Sequence, residues 1–456
     1  MIFGLLLHCC IFLFGCSSFV LRNNEPRYIR PGYHEFIVQT DAYPAGRPRS
    51  LMLHTSIISV DGTSGYKNNK LLLYLNKRSF DPGLIPGSII RFRSEASEIK
   101  DFNTTDNFDY SLFMKRKGFR YLSFCYDSIS FTGYKPSVMH MGLRLRRYLL
   151  NKLENSLPHE NSLAIVSAMT LGYRELIDSD IKEEFRRSGI IHILAVSGLH
   201  VGIISLIIIL LLKITGIRSG LIKLLVSLLL IWTYALLTGL SPSVTRAAVM
   251  FSFLNTGYFI YRPVVPLNSV MASAFIILLI NPLMIFEASF LLSYSAVIFI
   301  LMNYHNLVVK INFSGQFLNT IWKMLAISFL AQAGTIPFVA LFFGEIPLFP
   351  VLSGLFAIPL AGIILFTGFS LIAFSAVPFI SGMLSSLLIY CVNTLSGAAA
   401  FISSWNTATV PAEGVSAAGA VILFLLLLSL MRYILKKENK NPHMVLTFMI
   451  LYFAIS

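Results

Sequence analysis

Two histidines and a serine interrupt the apolar run "FRRSGIIHILAVSGLHVGIISL", residues 185–206. Ser197 and His200 are three apart, neighbours on a helix face, and such a pair could serve an intramembrane hydrolase as nucleophile and base. The same groups could instead line a path or tie helices together, because a polar group in apolar surroundings costs free energy unless something bonds it. A base so close along one helix is expected to point past the hydroxyl, and a serine at a membrane helix contact more often packs or bonds a neighbour. Gly198 and Gly202 make a G-x-x-x-G step that lets a second helix approach, with Ser197 and His200 expected to bond across that contact and His192 to sit at its outer end, near water. Arg246, in "SPSVTRAAVMF", is the basic residue set well inside an apolar run. An arginine at the centre of a membrane helix costs about 2.5–3.5 kcal/mol on insertion scales, so it faces a partner, a bundle interior or water, unless it snorkels from near the helix end. Glu287 is its expected protein partner.

Other chemistries leave no such trace. A P-loop string is missing, which excludes ATP hydrolysis by that route. No two of the nine histidines stand two or four apart, so the H-x-H and H-E-x-x-H zinc patterns are absent. No catalytic residue, metal ligand or cofactor is assigned. Of the five cysteines only Cys125 falls in a water-facing region, so no disulfide framework is expected there.

The elements that must position these residues follow from composition. Hydrophobic residues make up 55% and charged residues 13%, and apolar runs long enough to cross a bilayer recur through the second half. Residues 22–189 hold 25 Lys/Arg and 18 Asp/Glu, whereas residues 190–456 hold the other 11 basic residues and four acids. The expected architecture is a polytopic α-helical membrane protein with an extracytoplasmic all-β domain of the OB type. Its parts are an uncleaved membrane helix at 1–21, the barrel at 22–135, amphipathic connector helices at 136–189 and a multi-span domain at 190–456. Spans are expected near 190–212, 221–239, 244–260, 264–281, 287–304, 320–343, 348–374, 381–402 and 414–432. With Lys213, Arg218 and Lys223 in a cytoplasmic loop, alternation puts Arg262, Lys310, Lys323 and Arg432 on the same side and residues 22–189 outside. Arg22, Arg27 and Arg30 oppose that orientation, but long domains translocate largely regardless of charge.

Within 30–135, "YHEFIVQT", "SLMLHTSIISV", "KLLLYLNK", "SIIRFRSE" and "FRYLSFCYDSISF" alternate as strands between Gly, Pro, Asp and Asn breaks, which suits a small barrel. Such barrels bind single-stranded nucleic acid through cationic grooves and stacking aromatics. The candidates are Lys77, Arg78, Arg91, Arg93, Lys115, Arg116, Lys117 and Arg120, with Phe119 and Tyr121 as stacking rings. A solvated loop is the plainer account of the 115–120 cluster.

The stretch "FRRSGIIHILAVSGLHVGI" resembles the signature of the ComEC competence family, inner-membrane DNA-uptake channels of naturally transformable bacteria. "YALLTGLSPSVTRAAVMF", "RPVVPLNSV", "INPLMIFEASFLLSYSAV" and "AQAGTIPF", which contains Gln332, follow in the family's order, and "NFDYSLFMKRKGFRYLSF" resembles the segment closing the family's outer barrel. The resemblance implies a channel in the bacterial cytoplasmic membrane that passes single-stranded DNA inward, with a cytoplasmic helicase-like motor, strand-binding proteins and an outer DNA receptor on a pseudopilus; the sequence leaves open whether the chain acts singly or as a homo-oligomer. The topology puts residues 240–245 outside, so Arg246 is expected either to line an outer vestibule and meet phosphates or only to snorkel. Many members carry a metallo-beta-lactamase-like domain. Its histidines are missing before Ser456, so a separate nuclease is expected. Where the family has F-Q-L-S this chain has Phe290, Leu291, Leu292 and Ser293. The rival readings are a transporter of another anionic polymer or lipid and an intramembrane serine hydrolase.

Overall fold

The computed structural model describes residues 17, 28–30, 32–46, 50–66, 69–76, 83–100, 110–261, 263, 265–311, 313, 315–405, 408–412, 414–435 and 443–455. The expected helix at 1–21 lies outside them apart from Ser17, as do Lys77, Arg78 and Arg262. The chain divides into two compact units, Met1–Tyr148 and Leu149–Ser456.

The first unit is built on strands β1 (Tyr33–Thr40), β2 (Ser50–Val60), β3 (Lys70–Asn76), β4 (Ser88–Glu98) and β5 (Phe119–Cys125), with β6 (Ser130–Tyr134) added at β4. β1 pairs with β2, β2 with β3, β3 with β5 in parallel, β5 with β4, and β4 with β1. The sheet therefore closes on itself in the order 1-2-3-5-4-1, a five-stranded OB-like barrel. Period-two alternation decides which side chains fill it. Phe36, Val38, Leu53, Leu71, Leu73, Leu75, Ile90, Phe92 and Tyr121 point inward, and the cross-strand partners Phe36 and Phe92 stack at 5.5 Å. Asp61 and Gly62, both at positive φ, turn β2 back on itself. The Asp61 carboxylate there accepts from the Glu35 backbone and binds His34 at 2.5 Å. That contact draws the His34 pKa upward and the Asp61 pKa downward. A short helix, α1 (Tyr110–Arg116), lies between β4 and β5.

Helix α2 (Val138–Ser156) contains the boundary between the units and buries Leu143, Leu150 and Leu153. The second unit continues through α3 (Glu160–Leu171), α4 (Ser179–Arg187), α5 (Gly198–Ile214), α6 (Gly220–Leu237), α7 (Pro242–Phe259) and α8 (Pro266–Ile280). It then runs through α9 (Ala288–Lys310), α10 (Gln316–Phe343), α11 (Pro350–Phe374), α12 (Pro378–Ser403), α13 (Ala417–Leu435) and α14 (His443–Ile455). Among the described residues, α6, α9, α10, α11, α12 and α13 are long and apolar enough to cross a membrane, which makes this a multi-pass membrane protein, while α5 and α8 are shorter apolar helices.

Two elements differ from the sequence expectation. α3 is not a surface connector: every residue from Ala164 to Leu171 is buried. It packs so closely on α11 that a Cβ at Gly368 would stand 2.7 Å from Thr170 Cγ2. Where a span was expected at 190–212 there is a shorter apolar helix that starts at Gly198, because Gly189 breaks the chain at φ +80° and Ile191–Ile193 form a single 3₁₀ turn before the helix is capped.

Candidate functional site

The 188–197 segment is irregular backbone held by the starts of two helices. Ser353 Oγ donates to Ser188 O at 2.7 Å, and Ser243 Oγ donates to Val196 O at 2.7 Å. Gly189 sits against Pro350, where a Cβ would come within 2.8 Å of the ring. Glycine is required there twice over, by its φ and by the contact. Ile190, Ile193, Leu194 and Val196 are buried, and His192 is exposed.

Ser197 is the N-cap of α5. Its backbone N–H donates to His200 Nδ1 at 3.3 Å and its Oγ lies 2.9 Å from the same nitrogen. His200 therefore does not point past the hydroxyl, and the two residues bond each other instead of reaching across to a second helix. A run of irregular and 3₁₀ chain over 190–196 places Ser197 at a helix start, where reciprocal capping at spacing three is the local solution to orphaned N–H groups. His200 is fully buried, and its Nε2 has no partner among the described residues. Among the described residues no third group orients the ring from behind as in a hydrolytic triad.

The glycine step does what its spacing predicts. Cβ atoms at Gly198 and Gly202 would lie 3.9 Å from Ala247 Cβ and 3.0 Å from Phe251 Cζ, both on α7. One helical turn further on, the α5–α7 contact carries a node absent from the sequence reading. Asn255 Nδ2 donates to Ser227 Oγ at 2.7 Å and to Ser205 Oγ at 3.2 Å, joining α5, α6 and α7 at three buried residues. Ser205 and Ser227, single polar residues in apolar runs, and Asn255, next to Thr256, were the signal that could have found it.

Arg246, 3% exposed, is in the second turn of α7. Its Nη1 donates to Ser289 Oγ at 3.4 Å, and that hydroxyl donates in turn to Glu287 Oε2 at 3.5 Å. The expected pairing with Glu287 is thus relayed by Ser289, the second residue of α9. Arg246 Nε is buried with no partner among the described residues. Close by on α9, Tyr294 shares a 3.0 Å bond with Ser273 of α8.

Gln332 has a different task. Gly354 of α11 lies level with Ser328 of α10, so α10 runs on well past the start of α11. Gly344, at φ +65°, then turns the chain back through β7 (Glu345–Pro347), which pairs with β8 (Thr409–Pro411). Gln332 Nε2 donates to Pro347 O at 3.3 Å and fastens this returning strand. Arg186, at the end of α4, bridges Glu345 at 2.6 Å and Glu183 at 2.7 Å, which raises its own pKa and lowers that of Glu183. These contacts gather the starts of α5, α7, α9 and α11 at one end. Lys310 at the end of α9 donates to Ile434 O near the end of α13, so Lys310 and Arg432 mark the opposite end.

In the barrel unit Arg91 and Arg93 are exposed on the outward face of β4. Lys115 is exposed, as is Lys117, whose ammonium stands 4.0 Å from the Phe113 ring centre; Arg120 is half-buried, and the Arg116 side chain lies outside the described residues. Phe119 and Tyr121 are corrections. Both are buried, Phe119 under α1 and Tyr121 in the barrel core, where its hydroxyl accepts from the Ile29 backbone. Neither ring faces a base. Tyr33, Phe124, Tyr126 and Phe131 are exposed instead. No group of three potential metal ligands occurs among the described residues.

A family model described as "Competence protein" matches residues 169–437. The chain is similar to ComE operon protein 3 of Bacillus subtilis (strain 168), 26% identical over 276 residues, which is 60% of this chain and 34% of that protein. It is also similar to an uncharacterized protein of Aquifex aeolicus (strain VF5), 33% identical over 226 residues, 48% of this chain and 51% of that one. The matches thus span only a third to a half of these relatives. No solved structure matches the chain.

Proposed function

Because the chain belongs to the competence protein family, we propose that it is a channel subunit of the bacterial cytoplasmic membrane that passes single-stranded DNA inward during natural transformation. Residues 22–189 face outward in this reading and the barrel receives the strand. The observation that carries it is Arg246: a cation 3% exposed inside an apolar bundle, with one donor unmet among the described residues, at the end of the helices opposite Lys310 and Arg432. Cation-rich ends face the cytoplasm, so the arginine stands near the outer entrance. A planar fork of donors there suits phosphate oxygens better than an ammonium does.

The energy comes from elsewhere, since no P-loop is present. A helicase-like motor and strand-binding proteins inside, a pseudopilus with a DNA receptor outside, and self-association complete the reading. Deleting the gene and scoring DNA entry to the periplasm and to the cytoplasm separately tests it. Loss of cytoplasmic entry alone is the expected result, and normal cytoplasmic entry would refute it.

A second reading has one observation in its favour, the 2.9 Å contact of Ser197 Oγ with His200 Nδ1. An intramembrane serine hydrolase would use that geometry, but so does a helix cap. Covalent labelling of Ser197 by a serine-hydrolase probe decides for the hydrolase.

A further inference from the structure

Arg246 brings a full charge into the apolar bundle with little to hold it. Its one hydrogen bond among the described residues is the 3.4 Å contact of Nη1 with Ser289 Oγ, and no carboxylate among them pairs with the guanidinium directly. Two groups stand within electrostatic reach, Tyr294 and Glu287. Ser273 donates its hydroxyl proton to Val270 O at 2.7 Å, so Tyr294 donates its own to Ser273 at 3.0 Å and carries no charge. Glu287 is then the one negative charge facing the arginine among the described residues.

Glu287 is the N-cap residue of α9, where the helix dipole favours an acid. That role does not account for its side chain, which makes no capping bond and accepts instead from the Ser289 hydroxyl at 3.5 Å. Ser289 has a single proton. With that proton directed at the carboxylate, its lone pairs are left for Arg246, so the hydroxyl both spaces the two charges and couples them. Both bonds are long. Glu287 and Ser289 are half-buried, whereas Arg246 is buried. The carboxylate can turn to water when another anion takes its place, and the guanidinium cannot follow it.

A conducting site must bind well enough to admit an ion and weakly enough to release it. A bare arginine in this bundle fails the second condition, because each departing phosphate would leave a desolvated charge with nothing to compensate it. A resident carboxylate removes that cost, since one anion replaces another. We infer that Glu287 is a displaceable counter-ion, which holds Arg246 through Ser289 while the path is empty and yields it to each phosphate of a passing strand. The inference rests on the reading of Arg246 as the phosphate contact of a DNA path.

The test sets strand binding by the full chain in lipid nanodiscs, read by anisotropy of fluorescent single strands, beside cytoplasmic DNA uptake at matched membrane levels. Glu287→Gln keeps the shape and removes the charge, so the strand should bind about tenfold more tightly and leave more slowly, while uptake falls. The salt dependence of binding should steepen by about 0.7, for one further phosphate neutralised with no carboxylate set free. Ser289→Ala breaks the relay but keeps both charges, and should move affinity and uptake the same way by less. In an Arg246→Ala background, Glu287→Gln should leave affinity unchanged. A carboxylate that only ties α9 to α7 would give less folded protein and no gain in affinity. Unchanged or weaker strand binding in both Glu287→Gln and Ser289→Ala, a gain that survives Arg246→Ala, or tighter binding with uptake unimpaired overturns the counter-ion and leaves the channel reading standing. Wild-type uptake in Arg246→Ala overturns the reading on which it rests.

Discussion

Ser197 and Arg246 are polar residues at the same end of the same bundle, and they are satisfied in opposite ways. Ser197 closes its bonds on its own helix start, through His200 three residues later. Arg246 reaches across to another helix through one long bond to Ser289, and its Nε is buried with no partner among the described residues. A group whose partners are local is explained by the folding of its own segment. One whose donors remain unfilled in a folded interior has a reason outside the segment, since such groups are rare and costly. The difference makes Ser197 a helix cap and is the reason Arg246, not Ser197, carries the functional proposal, although His200 Nε2 is likewise buried without a partner among the described residues.

The comparison can be broken first at Arg246. Arg246→Ala should abolish nearly all cytoplasmic DNA uptake at matched membrane levels while strand binding by the chain is unchanged, and Arg246→Lys should retain part. Wild-type uptake in the alanine variant would place the path elsewhere. Next, Gly198→Leu should be worse for inserted, folded protein than Ser197→Ala, because a leucine must displace Ala247 or separate α5 from α7. Protease resistance of the purified variants reads this. Third, Ser197→Ala should cost about 1 kcal/mol, the usual loss of a helix cap, and keep uptake at least in part. A smaller effect is expected on the barrel, where charge reversal at Lys115 and Lys117 should flatten the salt dependence of strand binding from a slope near −0.7 per phosphate neutralised. The least is expected from the His34–Asp61 tie. The raised His34 pKa gives stability that is complete below the ordinary histidine value near 6.5 and is lost as pH rises through the folded value. The lowered Asp61 pKa gives stability present above 3.8 and lost as pH falls. Thermal unfolding of wild type and Asp61→Asn should differ most between those two limits and converge outside them.

Strands β1 to β5 could be read from the sequence because one face of each is wet and the other buried, so the pattern has period two. The same rule places Tyr121 inward with Ser123 and Cys125, and a basic neighbourhood is no evidence against it. The helices were legible to within a few residues because hydropathy reports length. It does not report which apolar residues leave the helix: 190–197 read as span, yet Gly189, Pro350 and two serine hydroxyls hold them as irregular chain. α3 falls where connector helices were expected, but its burial was not legible, since a helix buried on nearly every side has no amphipathic pattern to betray its place. The Ser205–Asn255–Ser227 node was visible only as single polar letters, and which of them meet is a matter of helix rotation that spacing along the chain does not contain.

The clamp on Ser188 also has a bearing on how the protein is made. Its hydroxyl partner, Ser353, lies 165 residues further along the chain. At about 5–20 residues per second of synthesis, roughly ten to thirty seconds separate the two. During that interval α5 to α10 must be delivered into the bilayer while the chain ahead of α5 waits without its lock. Nascent chains stalled before Pro350 should therefore be cut near Gly189 by added protease, and chains released after α11 should resist. The segment ahead of α5 would then be locked only by the return of α11, made long after it.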